Sequence, residues 1–97
     1  MMKKFNEVKK RNFKKLQFYV PVVARVHGGS HPEFHDVQNI LNEIKVKIKD
    51  DNSDKPDLEN EFKRLREITD NYTIPEDVCE TYEAVYNMLE ELDKAYE

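Results

Sequence analysis

Three histidines, His27, His31 and His35, fall at four-residue steps, a spacing that on one helix stacks imidazoles into a column able to grip a transition metal. The residues between them break that column. Gly28-Gly29 ends a helix, and Ser30-His31-Pro32-Glu33 reads as a fresh start. His27 then belongs to the end of the preceding helix, where a cation suits the negative terminus. Only His31 and His35 are left to share a face, and two ligands fall short of the three or four that hold zinc or iron. The single cysteine, Cys79, excludes an internal disulfide and any CxxC site. It stands in the predicted first turn of the last helix, beside Asp77 and Glu80 and with no histidine nearby in sequence, and reads as a buried or half-buried structural thiol. Glu59-Glu61 and Glu90-Glu91-Asp93 read as solvated helix faces, so no carboxylate pair suggests acid–base work. Tyr82, Tyr86 and Tyr96 lie at helical spacing and read as core and rim packing. The two glycines sit in one turn, which excludes a P-loop or a dinucleotide fingerprint. These residues point away from an enzyme: no catalytic or cofactor-binding residue is expected.

The elements that carry these residues are helical. In the second segment Phe34, Val37, Leu41, Ile44 and Ile48 step by three and four, as do Leu58, Phe62, Leu65, Ile68 and Tyr72 in the third. Val78, Tyr82, Val85, Leu89, Leu92 and Tyr96 repeat the pattern in the last, and Phe5, Val8, Phe13, Leu16, Val20 and Val23 give a noisier version in the first. Three starts share one signature of cap residue, any residue, proline and acid: Ser30 to Glu33, Asp54 to Asp57 and Thr73 to Glu76. Helices are predicted over 2–27, 31–50, 55–71 and 75–96, with Pro21 expected to kink or split the first. Short connections between four such helices favour an all-α, up-down-up-down four-helix bundle that occupies residues 1–97 as one domain.

Charge supports the same order. Residues 1–25 carry eight Lys or Arg against one acid, whereas Glu76 to Glu97 hold eight acids and one lysine. Antiparallel packing of the first helix on the last would set Lys3, Lys4, Lys9 or Lys10 near Glu90, Glu91, Asp93 or Glu97. With the whole chain at a net charge of −4, nucleic acid is not an expected partner. Charged residues make up 37% and hydrophobic ones 38% of the 97 residues, and the mean hydropathy is −0.89. The longest nearly apolar run, Phe18 to Ala24, is too short to span a bilayer, so no membrane partner is expected. No signal-peptide pattern opens the chain, and the cytoplasm is the expected compartment.

Two stretches carry a family resemblance. Val22-Val23-Ala24-Arg25-Val26-His27-Gly28 with His31-Pro32-Glu33-Phe34, and Thr69-Asp70-Asn71-Tyr72-Thr73-Ile74-Pro75-Glu76-Asp77-Val78-Cys79 with Tyr82, Ala84 and Tyr86, resemble in order two segments of the iron–sulfur cluster repair proteins. These are hemerythrin-like di-iron proteins of bacteria implicated in recovery from nitrosative and oxidative damage. The resemblance implies a hemerythrin-like bundle, shortened, with iron as the family's cofactor. Carried over by position, the family's ligands fall on Asn6 in the first helix, near Lys47 and Asp51 in the second and near Lys55 in the third. The last pair falls beyond Glu97, and the family's N-terminal cysteine region has no counterpart. Asp51 is the one good ligand of this set, so His27, His31, His35 and Asp51 complete the candidate metal residues, with no metal expected. The expected function is an accessory or regulatory binding protein, monomer or homodimer, with an unidentified protein partner. Two alternatives stay open: a true iron- or zinc-binding metalloprotein, and an interaction bundle unrelated to iron.

Overall fold

A computed structural model describes residues 3–50 and 57–96 of the chain. Among them are four helices and no strand: α1 (Lys3–His27), α2 (Glu33–Asp50), α3 (Glu59–Thr69) and α4 (Glu80–Tyr96). Asp51, Asp54 and Lys55, and with them the predicted cap of α3, lie outside the described residues.

The apolar rows meet in one core. Phe5, Leu16 and Val20 of α1, Phe34, Val37 and Ile44 of α2, Phe62 and Leu65 of α3, and Tyr82, Val85, Leu89 and Leu92 of α4 are all fully buried. Helical periodicity alone dictates this, since each row presents one wide apolar stripe that only a neighbouring stripe can cover. Along α1 and α4 the contacts run in opposite order. Phe5 packs edge-on against Tyr96 at 5.4 Å between ring centres, Asn12 donates to Glu91 at 2.7 Å, and His27 meets Cys79 at 3.2 Å. The α2–α3 pairs also run oppositely, Glu43 to Arg64 and Lys47 to Glu61, both at 2.8 Å.

Basic α1 does face acidic α4: Lys4 lies near Glu91, as predicted, and the ion pair that forms there is Arg11 with Glu91. Its consequence is local: hydrogen bonds from Arg11 and then Asn12 hold the Glu91 carboxyl below its ordinary pKa. Asp93, also expected to meet α1, is buried.

Three local expectations are corrected. α1 is not split: it runs as one helix through Pro21, which faces solvent. The carbonyl of Gln17, which loses its amide partner there, therefore stays on the wet side of the helix, where the loss costs least. A cleft of about 200 Å³ beside Pro21, lined by Gln17, Val20, Gln38, Leu41, Asn42 and Lys45, separates α1 from α2. The α4 start shifts from residue 75 to Glu80 because Thr73 closes α3 instead. Its amide donates to the carbonyl of Thr69, and its hydroxyl donates to that of Asp70 at 2.6 Å. Finally, α3 opens at Glu59 without a side-chain cap of its own; the Tyr96 hydroxyl accepts the Leu58 amide at 2.8 Å and does the capping from another helix.

Candidate functional site

The residues able to do chemistry gather where α1 ends and α4 begins. Gly28 makes this possible: a Cβ there would collide with the Ala24 carbonyl oxygen and the His35 imidazole, so only glycine lets the chain turn so tightly. Its amide closes the last turn of α1 on Ala24 at 2.9 Å, and the His31 amide donates to the His27 carbonyl at 2.7 Å. His27 closes α1 as the sequence implies.

His27 Nε2 lies 3.2 Å from Cys79 Sγ. The thiol is exposed, not buried or half-buried as the sequence suggested. With α4 starting at Glu80, Cys79 is the residue before the helix, off the buried row of Tyr82, Val85 and Leu89. Its carbonyl accepts the Glu83 amide at 3.2 Å, so the side chain turns toward the end of α1.

His31 takes a different partner. Its Nε2 sits 3.1 Å and 3.3 Å from the two carboxylate oxygens of Asp77, and its Nδ1 is 3.5 Å from Glu33. Because α2 begins at Glu33, His31 precedes the helix and shares no face with His35, which corrects the sequence expectation. His35 is exposed and packs beside Gly28. The His27 and His31 rings both meet Tyr82 edge-on, each 5.5 Å between centres. Tyr82 in turn shares a hydrogen bond of 3.1 Å with the Tyr86 hydroxyl. Burial raises both phenols above their ordinary pKa, so they are neutral hydrogen-bonding groups at physiological pH. The three imidazoles thus hold three separate places, and no three His, Cys, Asp or Glu among the described residues could share one metal ion.

A second polar centre lies at the other end of the bundle, near the Phe5, Phe62 and Tyr96 rings. Glu61 is buried, not solvated as its sequence neighbourhood suggested. Its Oε2 accepts the Lys47 ammonium at 2.8 Å, and its Oε1 is buried with no partner among the described residues. Lys47 also donates to the Asp57 carbonyl at 3.2 Å. The hydrogen bond to Glu61 raises the Lys47 pKa, which keeps the side chain protonated. Asp93 is likewise buried: Tyr72 donates to it at 2.8 Å, and Arg66 Nε lies 3.3 Å away. A sequence signal for both exists. Glu61 falls on the row Leu58, Glu61, Leu65, and Asp93 on Leu89, Asp93, Tyr96, each at helical steps within the apolar stripe. The Cys79–His27 contact has no such signal, because the two residues are 52 positions apart.

No family model matches the chain. Two curated proteins, both named iron–sulfur cluster repair protein ScdA and from two strains of Staphylococcus epidermidis, are 26% identical to it over 121 aligned residues. The alignment takes in 93% of this chain and 54% of each relative, so the chain spans about half their length. No solved structure matches.

Proposed function

We propose that this chain is a divergent hemerythrin-like domain related to the iron–sulfur cluster repair proteins, an up-down-up-down bundle without a working di-iron centre. It acts as an accessory or regulatory binding protein in the cytoplasm, not as an enzyme. The relatedness rests on the ScdA similarity along nearly the whole chain, and the bundle reading is supported by the opposed directions of α1 against α4 and of α2 against α3.

One observation carries the metal part of this reading. Lys47 stands near the second-helix position that the resemblance gives to an iron ligand, and its ammonium is bound to the interior carboxylate Glu61. A protonated amine has no lone pair to offer a metal, and a cation beside iron repels it. The remaining oxygen of Glu61 is a single donor, and Asn6, half-buried on α1, is a weak one. These residues do not fit a di-iron pair, which needs several anionic or imidazole ligands converging from the surrounding helices.

The test is metal content. Protein expressed in iron-rich medium and dialysed is expected to retain far less than one iron per chain and to lack the visible absorption of a bridged di-iron pair. Near-stoichiometric iron that survives dialysis and is released by substitution of Asn6 or Asp51 would overturn the reading. Partner capture compared with and without nitric oxide stress then tests the accessory role.

A further inference from the structure

A groove between α1 and α2 collects polar groups that the fold leaves without partners. Its floor is the cleft beside Pro21, where Val20 and Leu41 are buried, flanked by the carboxamides of Gln17, Gln38 and Asn42 and by Lys45. α1 and α2 meet both here and at the tight Gly28 turn, where His35 packs beside Gly28, so the two helices run in opposite directions. Helical spacing then carries one wall on from Gln17 to Lys14 and Lys10, and the other from Asn42 to Lys45 and Lys49. Four exposed lysines thus stand at one end of the groove. Among the described residues, none of these lysines and none of the three carboxamides has a hydrogen-bond or ion-pair partner. The Gln17 carbonyl also lacks its amide donor, because Pro21 has no N–H to give.

We propose that this groove binds an extended, acidic segment of a partner protein. The choice follows from what each group needs. Four unpaired ammonium groups call for carboxylates. The carboxamides and the orphaned carbonyl call for alternating N–H and C=O groups, which an extended peptide backbone presents at every residue. One apolar side chain of that segment fills the cleft of about 200 Å³. Length agrees. From Lys10 to Pro21 the groove runs about 16 Å, at roughly 1.5 Å per helical residue, which about five extended residues cover at roughly 3.3 Å each. A nucleic acid is also anionic but fits less well. Its phosphodiester backbone offers acceptors and no donors, and no aromatic ring lines the cleft for a base to stack on. The groove gives the binding-protein reading a partner surface and rests on that reading, whereas metal content tests that reading separately.

Fluorescence anisotropy at low salt, with a labelled peptide of one leucine between two pairs of glutamates, tests this. The full chain is expected to bind it, and more weakly as salt rises. The same peptide with lysines in place of glutamates, and an oligothymidylate of equal charge, are each expected to bind at least about tenfold more weakly. K14E combined with K45E is expected to weaken binding of the glutamate peptide at least about tenfold while the circular dichroism stays helical, because both lysines face water. That double variant should in turn take the lysine peptide. K63E, on the exposed face of α3, is expected to change binding by less than about twofold, which separates the groove from general attraction. In nuclear magnetic resonance spectra the side-chain amide signals of Gln17, Gln38 and Asn42 should move as the glutamate peptide is added. No binding at low salt overturns the proposal. So does tighter binding of the oligothymidylate, binding indifferent to K14E with K45E, or amide signals that move elsewhere and not at these three residues.

Discussion

Removing one oxygen, in Tyr72→Phe, tests how the end of α3 is held. Asp70, Asn71 and Tyr72 all adopt left-handed backbone, with φ of 53°, 56° and 62°. Three successive residues other than glycine in that region carry a conformational cost of about 1–2 kcal/mol each, less for Asp and Asn. The turn persists because several bonds offset it: the Asn71 amide to the Arg66 carbonyl at 2.8 Å, the Tyr72 amide to the Thr69 hydroxyl at 2.8 Å, and the Tyr72 hydroxyl to Asp93 at 2.8 Å. The last is the one bond a phenylalanine deletes without changing shape. A hydrogen bond to a charged group contributes about 1.5–3 kcal/mol. For a domain of this size each kcal/mol moves Tm by about 4–8 °C, so Tyr72→Phe is expected to lower Tm by roughly 6–24 °C. Tyr86→Phe is the control. It breaks the Tyr82–Tyr86 hydroxyl pair, which is neutral, and is expected to cost only about 0.5–1.5 kcal/mol. Thermal and urea unfolding of both variants, followed by circular dichroism, gives the comparison. A Tyr72→Phe protein as stable as the wild type, or less affected than Tyr86→Phe, would refute the claim that the Asp93 bond fixes the turn.

Other substitutions read other parts of the structure. Gly28→Ala forces a Cβ against the Ala24 carbonyl and the His35 ring and is expected to destabilise by about 1–3 kcal/mol in urea unfolding. Tyr96→Phe removes the acceptor of the buried Leu58 amide and is expected to cost about 1 kcal/mol, with amide exchange near Leu58 speeding up most. The Glu91 and Glu43 carboxyls are both held below their ordinary pKa, Glu91 mainly by its hydrogen bond from Arg11 and Glu43 by that from Arg64. Their contribution is present above the unfolded carboxylate pKa, about 4.3, and is lost as pH falls through the lower folded values. Urea midpoints of Arg11→Ala and Arg64→Ala measured down this acid range are expected to fall less steeply than those of the wild type. Cys79 is exposed, so a thiol reagent is expected to titrate it in the native protein without denaturant.

The helical rows were legible because burial repeats every 3.6 residues whatever the tertiary arrangement: Phe34, Val37, Leu41 and Ile44 are buried as their spacing implies. The α4 start was not legible. Thr73-Ile74-Pro75-Glu76 satisfies every local rule for a helix start, but the Thr73 amide and hydroxyl are already committed to the carbonyls at the end of α3. A cap sequence specifies which groups can bond, and tertiary context decides which helix they serve. The same holds for Cys79. Its exposure and its histidine follow from where the loop between α3 and α4 returns to the end of α1, and neither leaves a trace in local spacing.

The buried carboxylates show why composition misleads at single positions. Glu61 and Asp93 sit among acids that do face water, and charge density alone groups them with those neighbours. Burial of either without a partner would be costly. Each is met by a cation from a different helix: Lys47 of α2 for Glu61, and Arg66 of α3, joined by the nearby Tyr72, for Asp93. Apolar rows are nearly interchangeable, since any stripe can cover any other, whereas these pairs match only when α2 lies on α3 and α3 on α4. The polar pairs therefore select the neighbours that the hydrophobic pattern leaves undetermined. The order of the helices is written less in the residues that fill the core than in the few charges that enter it.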